Sequence, residues 1–162
     1  MMTHDDLVRR AGKWLRRSLN CGVVMTELST YAHSNETPDA IGWINQRSVL
    51  VECKTSRTDF KADMKKTSRS LGRAVGAWRF YLTPPGLISV DELPDGWGLY
   101  EVDGRKVKYV GGAEYKNAER PPFKSDKDSE VGMLLSAMRR IQARSAIFVV
   151  IDECKEEQDE DR

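Results

Sequence analysis

Residues 49–54 read Val-Leu-Val-Glu-Cys-Lys, and the alternation of this run predicts the strand around which the fold is built. A period of two sends Val49, Val51 and Cys53 to one face and Leu50, Glu52 and Lys54 to the other. The first face is wholly apolar and must be covered by another layer. The second ends in a carboxylate beside an amine. Pro38-Asp39 lies thirteen positions before Glu52, and a turn at Asn45 to Arg47 predicts a hairpin whose first strand is Asp39 to Ile44. That pairing would set a second carboxylate beside the first, giving an oxygen-rich pocket suited to Mg²⁺ with an ammonium at its rim.

Outward from the hairpin, the pattern alternates helices and strands. Thr3 or Asp5 can cap a helix carrying Leu7, Val8, Ala11, Trp14, Leu15 and Leu19 at helical spacing, ended by Asn20 and Gly22. Gly22 to Leu28 reads as a strand and Ser29 to Thr37 as a polar loop. After Lys54, a helix capped by Thr58 or Asp59 is expected to run toward Val75 or Gly76. Strands follow at Trp78 to Thr83, Gly98 to Val102 and Lys106 to Val110. Gly111 to Asp128 reads as a long loop. Ser129 to Arg144 has helical spacing through Val131, Leu134, Leu135, Met138 and Ile141. The expected fold class is mixed α/β (α+β): a central mixed sheet of about four or more strands flanked by helices.

The chain has 162 residues, enough for one domain with a real core. Residues 1–151 are expected to form it, followed by an acidic, disordered tail at 152–162. No segment approaches the roughly 18 apolar residues of a membrane span, and Met1 to Leu19 lacks the apolar core of a secretory signal. A cytoplasmic location is therefore expected. Cys21, Cys53 and Cys154 stand far apart, with only His4 and His33 as other soft ligands, which argues against structural zinc and against a disulfide framework.

The net charge of +1 conceals an asymmetry. Lys54 to Arg79 holds eight Lys and Arg against Asp59 and Asp63, whereas Asp152 to Arg162 holds seven acids against two bases. A basic middle beside a carboxylate pocket suits a polyanion such as DNA. Lys61, Lys65, Arg69 and Arg73 recur at spacings that keep several on one helix face, where they can contact phosphates.

Phosphodiester hydrolysis needs an activated water and relief of charge on the phosphate. Asp39 and Glu52 can hold one or two Mg²⁺ ions with the backbone carbonyl of Cys53 as a further ligand, and Lys54 can orient the water or neutralise the transition state. Each piece also has a plainer reading. Asp39 after Pro38 can begin a turn, and Glu52 with Lys54 can be the solvated face of an edge strand. Trp43, Trp78 and Trp97 read as core or loop anchors, and His33 as a surface loop residue.

Pro38-Asp39 with Glu52-Cys53-Lys54 resembles the signature of the PD-(D/E)XK nuclease superfamily. The string from Val51 to Asp63 is similar to the MmcB-like DNA-repair endonucleases within it, as are Thr26-Glu27-Leu28, Arg79-Phe80-Tyr81 and Gly98-Leu99-Tyr100. The likeness covers residues 5 to 110 and little beyond. It implies a restriction-endonuclease-like sheet and Mg²⁺-dependent cleavage of DNA, with Mn²⁺ able to substitute and Asp39, Glu52 and Lys54 as the core site. Glu27 matches an acidic position and could ligate a second metal or position water. Asp59 and Asp63 also match, but one helical turn apart they read as structural.

Two functions follow as expectations: a metal-dependent DNA nuclease of repair, restriction or mobile-element type, or a catalytically silent module that binds DNA or recruits a partner. A helix-turn-helix regulator is disfavoured, because strand patterns separate the basic helices. A homodimer, or a protein partner supplying specificity, is compatible with either.

Overall fold

The computed structural model describes residues 2–26, 37–67, 74–116 and 119–144. Its centre is a six-stranded mixed sheet whose strands neighbour one another in chain order: β1 (Val23–Thr26), β2 (Ala40–Ile44), β3 (Arg47–Cys53), β4 (Trp78–Thr83), β5 (Trp97–Asp103) and β6 (Lys106–Gly112). The flanking helices are α1 (His4–Arg17), α2 (Arg57–Thr67) and α3 (Lys127–Gln142). This is the mixed α/β class read from the sequence.

The hairpin of β2 and β3 closes through Asn45 and Gln46, and Asn45 takes the left-handed backbone (φ 54°) that such a tight turn requires. The register runs from Ile44 opposite Arg47 to Ala40 opposite Val51. Strands β3, β4 and β5 are parallel, with Cys53 level with Leu82 and Leu82 level with Tyr100. Their carboxyl-terminal ends therefore lie at one edge of the sheet, the end at which open α/β sheets receive ligands. The outer pairs β1·β2 and β5·β6 are antiparallel.

The predicted alternation divides the core in two. Val49, Val51 and Cys53 join Trp78, Phe80, Leu82 and Tyr100 beneath Leu7, Val8, Ala11, Trp14 and Leu15 of α1. Thr3 and Asp6 form a capping box that fixes the start of α1. On the other face Leu50 packs with Ile41, Trp43, Tyr81, Trp97 and Leu99, under Phe60 of α2 and Met133 of α3.

Several boundaries differ from expectation. α2 is capped by Ser56, whose Oγ accepts from the Asp59 N–H at 3.2 Å, rather than by Thr58 or Asp59, and residues 74–76 are not helical. The long loop shrinks to 113–126, because β6 runs to Gly112 and α3 begins at Lys127. That loop is pinned: the N–H of Phe123 donates to Ala77 O and that of Asp126 to Ala74 O, both at 3.2 Å.

The largest difference is in α3. Of the residues at helical spacing, Leu134 packs against the core, whereas Val131, Leu135, Met138 and Ile141 are between 38% and 51% exposed. The helix instead docks through Met133 and the buried Glu130. The Glu130 carboxylate accepts from Trp43 Nε1 (3.4 Å), the Gly76 N–H (3.1 Å), Lys127 Nζ (2.9 Å) and Ser48 Oγ. Four donors outweigh the transfer of four half-exposed aliphatic side chains, because an unpaired buried donor costs about 1–3 kcal/mol. No helix among the described residues is long and apolar enough to cross a membrane. The expected tail falls outside the described residues, as does all of the expected loop except Thr37.

Candidate functional site

At the edge where β3, β4 and β5 end, the chain brings charged side chains together under partial cover. Asp39 immediately precedes Ala40, the first residue of β2, and its charge acts on Glu52 near the end of β3. Asp39 Oδ2 accepts the Cys53 N–H at 2.7 Å, which ties the start of β2 to the end of β3. Its other oxygen lies 3.4 Å from His4 Nε2, at the first residue of α1. The Cys53 side chain turns away into the core beneath α1. The main chain of Lys54 continues the parallel ladder, donating to Leu82 O at 3.1 Å.

Lys54 is the pivot. Its side chain is only 7% exposed, and Nζ sits 3.5 Å from Glu52 Oε2 and 3.5 Å from Asp63 Oδ1. Asp63 is held in turn by the Tyr81 hydroxyl, which donates to Oδ2 at 2.9 Å. Tyr81 is immobilised by stacking on Trp97 (4.5 Å between centroids) and by an edge contact with Phe60 (5.1 Å).

Three carboxylates thus share one ammonium. Glu52 is pushed well above the usual carboxylate range, first by burial and then by Asp39 and Asp63, with Lys54 only partly offsetting them. Burial opposes the charge on Lys54, but Glu52, Asp63, Asp59 and Asp39 together outweigh it and raise its pKa. Like charges brought together across two strands are destabilising. Perturbed acids and bases gathered at a sheet edge are a physical mark of a functional site.

The structure therefore gathers Asp39, Glu52 and Lys54, and it adds two side chains. Asp63, read from the sequence as structural, faces Lys54 rather than serving only its own helix; Phe60 and Met64 mark the buried face of α2, and Asp63 lies on it. His4 sits in line with Leu7, Val8 and Ala11, which lie on the buried face of α1. Lys61 and Lys65 are exposed on α2. Glu27, Arg69 and Arg73 lie outside the described residues. Among the described residues, no three His, Cys, Asp or Glu side chains converge into a preformed metal cage.

No family model matches the chain. No curated protein matches it either. Among solved structures, the chain is similar to a protein of unknown function from Silicibacter pomeroyi: TM-score 0.61 and 23% identity, over 94% of this chain and 99% of that one. At that identity the likeness concerns the fold alone.

Proposed function

We propose that the protein is a cytoplasmic DNA nuclease that hydrolyses phosphodiester bonds with the help of Mg²⁺. The reading rests above all on the buried Lys54 ammonium held at 3.5 Å from both Glu52 and Asp63, beside Asp39 at the ends of the parallel strands. Carboxylate oxygens gathered beside one another at a strand end are a hard donor set that fits a small divalent ion. Mg²⁺ is commonly bound by one or two protein carboxylates together with substrate phosphates, so a full protein cage is not required. Asp39 and Glu52 would hold the ion, with the Cys53 carbonyl and Glu27 as further oxygen donors. When bound, Mg²⁺, or Mn²⁺ in its place, supplies Lewis-acid polarisation of the phosphate.

The remaining chemistry belongs to side chains of the chain itself. Lys54 Nζ would donate to the non-bridging phosphate oxygens as negative charge develops, or orient the attacking water. Its low exposure strengthens that interaction, because little water competes. Asp63 and Tyr81 fix the ammonium so that no reorganisation is needed during reaction. Asp39, tied to the Cys53 N–H, keeps its carboxylate near the end of β3. Lys61, Lys65, Arg69 and Arg73 would hold the DNA backbone.

The test is cleavage of labelled duplex, nicked, flapped and single-stranded DNA by wild type and Lys54→Ala, in Mg²⁺, Mn²⁺ or EDTA. Metal-dependent cutting by wild type, reduced at least ~100-fold in Lys54→Ala, is expected from loss of one transition-state donor. Binding without cutting by folded wild type, on every substrate and with either ion, would replace the nuclease by the silent DNA-binding module.

A further inference from the structure

A second charged feature lies on the opposite face of the sheet. Between α1 and the turn joining β5 to β6 runs a groove of about 670 Å³. Its walls carry Arg9, Arg10, Lys13 and Arg17 from the helix and Arg105 and Lys106 from the turn. One acid, Asp6, lines it, and that carboxylate is ion-paired with Arg9 at 2.8 Å. No salt bridge among the described residues engages the other five cations with a carboxylate.

We propose that this groove is a binding track for the phosphodiester backbone of a nucleic acid, leading to the candidate site. A basic flank on one helix is ordinarily just solvated. Here two elements almost ninety residues apart in the sequence converge their cations on one concavity, although the chain has 25 Asp and Glu from which to neutralise them. Concentrating like charge in a groove costs stability and focuses the field on an incoming polyanion. The flank is also fixed in orientation, because Leu7, Val8, Ala11 and Leu15 bury the opposite side of α1.

The groove and the site share one end of the sheet. His4, which begins α1, is 3.4 Å from Asp39. The β5–β6 turn leaves the sheet where β5 ends, three residues past Tyr100, which is level with Leu82 and Cys53. From His4 to Arg17 the helix rises about 20 Å at 1.5 Å per residue, or roughly six steps of a strand at 3.4 Å each. Because α2 packs on the other face, Lys61 and Lys65 belong to a separate surface. A backbone touching both surfaces would cross the sheet edge where Lys54 lies. The inference deepens the nuclease reading and rests on it for the role of the strand, but the binding itself is independent of cleavage.

The experiment uses the full chain in EDTA, so that nothing is cut, with fluorescently labelled 25-nucleotide duplex and single-stranded DNA over a salt series. Lys13, Arg105 and Lys106 are exposed, so Lys13→Gln and the triple variant K13Q/R105Q/K106Q should melt as wild type does. Removing one cation from the phosphates should lower the slope of log K against log salt by about 0.9 on duplex and about 0.7 on single strands. The triple variant should therefore fall by roughly 2–3 units of slope, and Lys13→Gln by about one. Lys54→Ala should bind with the wild-type slope less at most one phosphate. Wild type that does not bind DNA, or variants with unchanged slope, would overturn the track. So would variants that lose binding to polyglutamate or to phosphatidylserine vesicles while DNA binding is intact. If the slopes fall as expected but no substrate is ever cleaved, the track stands and the nuclease reading falls.

Discussion

Glu52→Gln should make the protein more stable while abolishing any activity at the site. The reason is the charge balance around one side chain. Lys54 Nζ, 3.5 Å away, attracts Glu52 by about 5 kcal/mol at an effective dielectric of 20. Asp39, at a cross-strand spacing of about 5 Å, repels it by roughly 3 kcal/mol on the same footing. Asp63 and Glu52 both touch Nζ at 3.5 Å, so the contacting oxygens are at most twice that distance apart and add about 2 kcal/mol of repulsion or more. The attraction is nearly cancelled before the loss of hydration is counted, and hydration loss turns the balance against the charge. A neutral amide of the same shape avoids this, and the gain should be about 1–3 kcal/mol. For a chain of this length, that is roughly 3–10 °C in Tm.

The pH dependence gives the reasoning a second check. Because the folded state raises the pKa of Glu52, protonated Glu52 favours folding. That contribution is fully present below the unfolded value near 4.5 and is lost as pH rises through the folded value. The advantage of Gln over Glu should therefore be absent at pH 4 and grow as pH rises through the raised folded value of Glu52. Calorimetric or fluorescence-detected melting of both proteins at each pH measures it. Millimolar Mg²⁺ should narrow the gap at pH 8 by stabilising wild type alone, since a ligand of the native state raises its stability by mass action. A Gln variant no more stable than wild type at pH 8, or one whose advantage is the same at pH 4, would refute the charge balance.

Three further outcomes are expected. Glu130→Gln should destabilise the fold by about 2–4 kcal/mol in urea unfolding, because the Ser48, Gly76, Trp43 and Lys127 donors lose a charged acceptor. Glu130 has the opposite pH sign to Glu52: burial would raise its pKa, but bonds from Ser48, Lys127 and Gly76 outweigh that and lower it, so its stabilisation is present above the unfolded value and lost as pH falls through the folded one. Tyr81→Phe should cut kcat about 2–10-fold with KM for DNA unchanged, the worth of one hydrogen bond that holds Asp63 against Lys54; equal loss in Asp63→Asn and in the double variant would place the two side chains in one chain of support.

The hairpin and the positions of β3 and β4 could be read from the sequence because their causes are local: alternation in Val49 to Lys54, a tight turn at Asn45, and Pro84-Pro85-Gly86 after Thr83; the parallel pairing of β3, β4 and β5 is set by tertiary contacts and was not read. Glu52 and Lys54 came with that reading, since a strand's two faces follow from counting. Side chains delivered by helices were harder. Asp63 and His4 each share a face with apolar neighbours, Asp63 with Phe60 and Met64, His4 with Leu7 and Val8. A polar residue on an apolar stripe was the available signal in both cases. The same signal marks Glu130, three residues before Met133, and apolar spacing by itself does not show that α3 docks through this carboxylate. Hydropathy counts apolar side chains and is blind to a carboxylate that four donors have made cheap to bury.

This asymmetry bears on how the site holds together. Glu130 and Glu52 are both carboxylates withdrawn from water on the same face of one sheet, yet the first is surrounded by donors and the second faces two other acids. The fold can therefore satisfy a buried carboxylate where docking demands it. At the end of β3 it sets Glu52 against Asp39 and Asp63, whose charges Lys54 offsets only in part, and among the described residues no salt bridge engages Glu52 beyond Lys54. Stability forgone at that one edge, in a sheet whose central strands are packed on both faces, is what a protein accepts where a cationic ligand or a reacting phosphate completes the balance.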